Sequence, residues 1–173
     1  MKHSVTVMAV ASAAATLVLS GCVTTGPRPG HHPQPPQPEP PPLQYKTLRS
    51  TDNHQCLDVA GNASQNGSPA QMRRCDGSKS QRWAVEGRRI INAWGLCLDA
   101  HGPSMHQNGG KVQVWRCNDK HNQLWTYERN TRLRNGGGKC LDMDKPAISL
   151  NKPSGKVHIW ECHGRNNQKW YFR

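Results

Sequence analysis

Cys97-Leu98-Asp99, Cys117 and Gln123-Leu124-Trp125 form the stretch that organises this chain, because the same three signals occur twice more. Cys56-Leu57-Asp58, Cys75 and Gln81-Arg82-Trp83 precede it, and Cys140-Leu141-Asp142, Cys162 and Gln168-Lys169-Trp170 follow it. The first cysteines stand 41 and 43 residues apart, and each second cysteine lies six residues before its glutamine. Repetition in fixed order and spacing marks a body assembled from equivalent supersecondary units.

Within the middle unit, Arg89-Ile90-Ile91, Leu96-Cys97-Leu98, Val112-Gln113-Val114-Trp115 and Leu124-Trp125-Thr126-Tyr127 read as short strands. Gly102-Pro103, Asn108-Gly109-Gly110 and Asn118-Asp119 punctuate them as turns. A propeller of similar period needs at least four blades, and helical arrays near this period lack such dense Gly and Asn turns. Three units of about four strands predict a closed, threefold, all-β body, a β-trefoil. Trp83, Trp125 and Trp170 are expected in its core, with Leu57, Leu98 and Leu141.

The composition agrees with a small stapled core. Of 173 residues, 34% are hydrophobic, with one Phe and three Tyr but six Trp and seven Cys. So few apolar residues imply that Trp fills the interior and disulfides brace it. The 23 Lys and Arg against 11 Asp and Glu give a net charge of +12. Such a surface attracts anionic partners, here acidic envelope polymers, and nucleic acid is not expected among them.

Ahead of the repeats the chain changes character. Lys2 precedes an Ala-rich apolar run, Val5 to Leu19, too short for a comfortable membrane span and fitting a secretory h-region. Leu19-Ser20-Gly21-Cys22 resembles a bacterial lipobox, which implies cleavage before Cys22 and lipidation of that cysteine. Val23 rather than Asp after it implies the outer membrane. Residues 24–43 hold Pro33, Pro35, Pro36, Pro38 and Pro40-Pro41-Pro42, which favour an extended polyproline II spacer. The expected organisation is therefore a signal over 1–21, a lipidated tether over 22–43 and a repeat domain over 44–173.

Removing Cys22 leaves six cysteines, an even number suited to an oxidising compartment. Of the fifteen possible pairings, repeat symmetry leaves two: within units (Cys56–Cys75, Cys97–Cys117, Cys140–Cys162) or between them (Cys75–Cys97, Cys117–Cys140, Cys162–Cys56). No Cys-x-x-Cys occurs, and no metal or cofactor is expected.

With its Gln-x-Trp motifs, Cys-Leu-Asp motifs and second cysteines, the region from Gln44 to Arg173 resembles the ricin B-type lectins, whose three trefoil lobes carry this signature. The resemblance favours the within-unit disulfides, as do their short loops. It implies carbohydrate as the partner, galactose-like or xylose-like, and a site in each lobe built from an Asp, an aromatic residue and an Asn.

Strand alternation places Val112 and Val114 on one face and Gln113, Trp115 and Cys117 on the other. If Cys97 and Cys117 are bridged across an antiparallel pair, Asp99 is expected directly opposite Trp115, both outside the core. The flat indole suits the C–H face of a pyranose, and the carboxylate suits its hydroxyls. The resemblance adds Gln113, Asn122 and Gln123 in the second unit. In the third it gives Asp142, His158, Trp160, Asn167 and Gln168, with His158 in place of Gln. The first unit has Arg73 and Ser80 where Trp and Asn are expected. Asp58 is expected to form a salt bridge with Arg73 there, leaving a silent site; the alternative is that Arg73 favours an acidic sugar.

Enzymatic chemistry is not expected. Glycoside hydrolysis needs two cooperating carboxylates, whereas each unit repeats a single Asp, and no serine-hydrolase, zinc-protease or nucleotide-binding motif occurs. The lipobox, Pro-rich stretch and single repeat domain also resemble the binding subunits of cytolethal distending toxins, which implies protein assembly and host-surface attachment as an alternative role.

Overall fold

The computed structural model describes residues 39, 41–61, 63–144 and 154–173. The signal, Cys22 and all but the end of the tether lie outside the described residues. The fold belongs to the unit Pro40–Arg173.

Among the described residues, twelve strands run in three sets of four. β1 (Lys46–Ser50), β2 (Cys56–Val59), β3 (Ala70–Arg73) and β4 (Arg82–Glu86) form the first lobe. β5 (Arg89–Asn92), β6 (Leu96–Ala100), β7 (Gly110–Arg116) and β8 (Trp125–Tyr127) form the second. β9 (Leu133–Asn135), β10 (Cys140–Met143), β11 (Ser154–Trp160) and β12 (Trp170–Phe172) form the third. All pairings are antiparallel.

The outer strands of the lobes close a ring. β1 pairs with β4 and β12, β4 with β5, and β8 with β9. The Trp125 amide donates to the Arg88 carbonyl at 2.8 Å, and a bridge joins Arg132 to Lys169, completing the circuit. The inner hairpins β2–β3, β6–β7 and β10–β11 cover one end, held together by β3–β11, β7–β11 and a bridge between Pro69 and Gln113. Closure leaves no long free edge to template aggregation. This is the β-trefoil expected from the repeats.

The repeated Leu and Trp meet in the core. Leu57, Leu98, Leu141, Trp83, Trp125 and Trp170 are all buried. In every lobe the indole Nε1–H donates to the carbonyl of that lobe's Leu: Trp83 to Leu57 at 2.9 Å, Trp125 to Leu98 at 2.8 Å, Trp170 to Leu141 at 3.0 Å. Each Trp thus fills volume without leaving its polar atom orphaned.

The disulfides form within lobes, Cys56–Cys75, Cys97–Cys117 and Cys140–Cys162. They do not join directly opposed residues. Cys97 faces Trp115 in the ladder, and Cys117 lies just past the end of β7. The register is therefore offset by two from that expected: Asp99 faces Gln113, not Trp115. Likewise Asp58 faces Gln71 and Asp142 faces His158. Cys56, not Asp58, stands opposite Arg73.

Candidate functional site

The strand that carries each Asp sits on the core, so the carboxylate is buried rather than outside it: Asp99 is 3% exposed. Its charge is met by a fan of amides. Gln113 Nε2 donates to Oδ1 at 3.2 Å, and Asn122 Nδ2 and Gln123 Nε2 donate to Oδ2 at 2.7 and 2.8 Å. Ionised carboxylates have about four acceptor positions, so Oδ1 retains capacity for a further donor. Trp115, two residues along β7 from Gln113 and on the same face, is 39% exposed and lines the same cleft as this carboxylate. Asp99, Gln113, Trp115 and Asn122 line one open cleft of about 420 Å³, rimmed by His101, Lys111 and Lys120.

The third lobe repeats the arrangement with one substitution. Asn167 Nδ2 donates to Asp142 Oδ1 at 3.0 Å and Gln168 Nε2 to Oδ2 at 2.7 Å. His158 Nε2 takes the Gln position at 3.1 Å from Oδ1, and its ring lies 5.3 Å from that of Trp160. His163, which the repeat pattern does not single out, approaches Oδ2 at 3.3 Å. Asp142, His158, Trp160 and Asn167 line a cleft of about 450 Å³ with Asp144 and Arg165.

The glutamines of the Gln-x-Trp motifs are fully buried and clamp the turn after the second cysteine. Gln123 Oε1 accepts from the Asn118 amide and Gln168 Oε1 from that of His163, both at 2.9 Å. Gln81 Oε1 accepts from Asp76 at 3.0 Å. They hold the site from below and do not line either cleft.

The sequence reading missed a contribution from the preceding lobe. Asn66 Oδ1 accepts from the Arg116 amide at 2.7 Å, and Asn108 Oδ1 from that of Glu161 at 2.8 Å. The following Gly67 and Gly109 have φ of +85° and +80°. A Cβ added to them would lie 3.6 Å from Trp115 and 3.8 Å from Trp160. The two Asn-Gly turns therefore buttress the site tryptophans. Their signal was present as the same dipeptide at the same offset in two repeats, legible only once strand pairing puts adjacent lobes in contact.

In the first lobe the expected Asp58–Arg73 salt bridge does not form. Because of the register offset, Asp58 Oδ1 accepts from Gln71 Nε2 at 2.9 Å, and Oδ2 accepts from Ser80 Oγ at 3.0 Å. Arg73 is exposed on the rim. Among the described residues, no group of His, Cys, Asp and Glu is arranged to hold a metal ion.

The ricin-type β-trefoil lectin domain model matches residues 44–170. Comparison with curated proteins finds no match. Among solved structures the chain is similar to the hemolytic lectin CEL-III, at 28% identity and a TM-score of 0.62 over 76% of this chain and 30% of that one. It is similar to 1,3Gal43A, an exo-β-1,3-galactanase from Clostridium thermocellum, at 26% identity and a TM-score of 0.63 over 77% and 30%. The agglutinin from Abrus precatorius shares the fold at 21% identity and a TM-score of 0.63 over 75% and 48%. The chain thus spans less than half the length of each of these three.

Proposed function

The chain belongs to the ricin-type β-trefoil lectin family, and on that premise we propose that it binds neutral sugars at two clefts, in the second and third lobes. The observation that carries this reading is the pairing, twice, of a buried amide-held carboxylate with a half-exposed indole in one open cleft. The indole face covers the C–H side of a pyranose. The carboxylate accepts from adjacent hydroxyls, and its charge strengthens those bonds. Asn122 and Asn167 fix its orientation, as do Gln113 and His158. Galactose-like and xylose-like pyranoses both have the shape and hydroxyl pattern for this. Two sites on one body also allow avidity toward a polymer that spans them.

The N-terminal segment extends the reading. A lipid on Cys22 would tether the domain to the bacterial outer membrane, with the Pro-rich stretch as spacer. Mass spectrometry of the N-terminal peptide tests this; an unmodified Cys22 in the mature protein would refute it.

The test of the lectin reading is a glycan array with wild type, Trp115→Ala, Trp160→Ala and the double variant. Each single variant is expected to weaken binding and the double to abolish it. Unchanged glycan binding in the folded double variant would overturn the site assignment. A folded wild type that binds no glycan would favour the protein-assembly role.

A further inference from the structure

The first lobe has not simply lost its site; its cleft is intact and its polarity is inverted. It measures about 500 Å³, comparable with the other two, and is lined by Gln71, Arg73, Ser78, Lys79, Ser80 and Trp94, among others. The second cleft is lined by one carboxylate, Asp99, and the third by two, Asp142 and Asp144. Among the described residues, no carboxylate lines the first. Asp58, the counterpart of Asp99 and Asp142, does not reach the cleft wall; its oxygens accept from Gln71 and Ser80, which do. What the cleft presents instead is two cations, Arg73 and Lys79, over a floor of one amide and two hydroxyls.

The aromatic wall is also rebuilt rather than absent. Arg73 stands where Trp115 and Trp160 stand in the other lobes, but Trp94 enters the cleft from the turn between β5 and β6. It is 37% exposed, and the Lys79 ammonium lies 4.9 Å from its ring centroid. That turn is seated against the first lobe by Asn92, whose Nδ2 donates to the Ala63 carbonyl at 2.8 Å while Oδ1 accepts from Trp94 and Leu96. The third lobe carries Gly137 at the corresponding place after Asn135. A Cβ there would lie 2.7 Å from the Met105 carbonyl oxygen, and glycine offers the second lobe no counterpart of Trp94.

The Arg73 guanidinium is exposed on the rim, where its charge also helps hold the Asp76 carboxyl below the usual carboxylate range, after the hydrogen bonds from Ser78. A guanidinium so placed matches a planar carboxylate through two parallel N–H donors. An ammonium beside it adds attraction. A tryptophan wall and hydroxyl-lined floor match a pyranose ring and its hydroxyls. We propose that the first-lobe cleft is a third binding site, selective for carboxylate-bearing sugars, with Arg73 as the carboxylate anchor and Trp94 as the aromatic wall. This rests on the lectin reading of the domain and extends it: the chain reads neutral and acidic sugars with different lobes.

The test is calorimetry on the full chain near physiological salt, with lactose and xylotriose as neutral probes. A galacturonic acid trimer and its methyl ester serve as the acidic pair, differing only at the carboxylate. The Trp115→Ala/Trp160→Ala chain is expected to lose the neutral sugars and keep the free-acid trimer within twofold. The ester is expected to bind at least tenfold more weakly than the acid. Adding Arg73→Gln or Trp94→Ala should lower acid affinity at least tenfold. Arg88→Gln, which removes the same charge outside the cleft, should change it less than twofold. Equal binding of acid and ester, or equal effects of Arg73→Gln and Arg88→Gln, would overturn the proposal. Neutral binding without acid binding in wild type would sink this site alone. Acid binding without neutral binding would sink the neutral-sugar assignment and leave this one standing.

Discussion

The side-chain amide of Gln123 lies 2.8 Å from Oδ2 of Asp99, so the residue that marks the fold in sequence also holds the carboxylate at the proposed sugar site. The same amide donates to the Arg116 carbonyl at 3.1 Å, and its oxygen accepts from Asn118. Gln123→Ala would leave a buried carboxylate short of a donor and a turn amide without its acceptor. We expect a loss of about 3 kcal/mol in chemical denaturation, because unsatisfied buried groups cost more than the bonds themselves contribute. In a Trp160→Ala background, sugar binding at the second lobe should fall at least tenfold. A fully stable Gln123→Ala chain would show that the clamp is dispensable.

Trp125 and Leu98 give a second prediction, now about the core. Trp125→Phe keeps an aromatic ring but removes the bond to the Leu98 carbonyl and part of the buried volume. The expected cost is about 2–4 kcal/mol from the cavity and the orphaned carbonyl together. Trp83→Phe and Trp170→Phe should cost similar amounts, since their bonds to Leu57 and Leu141 are equivalent. A threefold set of near-equal losses in urea titrations is the checkable outcome. Widely different losses would mean that the lobes do not share the core evenly.

The repeats made the fold legible because threefold recurrence of Leu and Trp encodes three equivalent contacts, and only a closed threefold body satisfies all of them. Strand alternation correctly put Val112, Val114 and Leu98 inward. It misplaced Asp99 because it took the disulfide as directly cross-strand, whereas Cys117 has already left the ladder. That two-residue offset preserves each side chain's face but changes its partner. It therefore kept Val112, Val114 and Leu98 on the core face and removed the expected Asp58–Arg73 pair, while the amides that meet Asp99 allow that carboxylate to be buried rather than outside the core. Trp94 and the Asn-Gly turns at 66–67 and 108–109 could not be found within a single repeat, because each acts on the neighbouring lobe.

Gly110 opens β7 where backbones from two lobes crowd together. A Cβ there would collide with the Ser104 carbonyl oxygen and lie 2.8 Å from Ile159 Cγ1. Neither neighbour can retreat readily, one being backbone and the other a fully buried core residue. Gly110→Ala should therefore destabilise by about 2–3 kcal/mol, in the range for overpacking a filled interior. Gly138→Ala, whose added Cβ meets nothing, tests backbone strain alone at φ +86° and should cost about 1–2 kcal/mol. The two are separated by adding Ile159→Val: it should recover part of the loss at Gly110 and none at Gly138.

Reduction should act on each lobe in proportion to what its bridge constrains. The three disulfides close loops of similar separation, 19, 20 and 22 residues. Loop-closure entropy of this size corresponds to about 3 kcal/mol per bridge. Replacing both cysteines of the Cys140–Cys162 pair by Ser should lower stability by about that amount and leave the other two bridges intact by peptide mapping. Scrambled pairing in that variant would show that this bridge also directs formation of the others.

Tyr127 supplies a pH test at the far end of the barrel. Its hydroxyl donates to the Trp170 carbonyl at 2.7 Å, tying β8 to β12, and its ring lies 6.1 Å from that of Phe172. Burial lifts the phenol above the ordinary tyrosine range. In the unfolded chain the phenol ionises near about pH 10, so the folded state holds the proton longer. The associated stability is complete below that pH and is lost as pH rises through the folded value. Tyr127→Phe should cost about 1 kcal/mol at pH 8, from the missing hydrogen bond. The gap between wild type and variant should then narrow between pH 9 and about pH 11, a window set by the same phenol ionisation. Urea titrations at fixed pH values across that interval measure the gap directly, and because the two proteins differ at this hydroxyl alone, the difference isolates Tyr127. A gap that stays constant across the interval would mean that folding does not raise the phenol's ionisation and would overturn the assigned effect of burial.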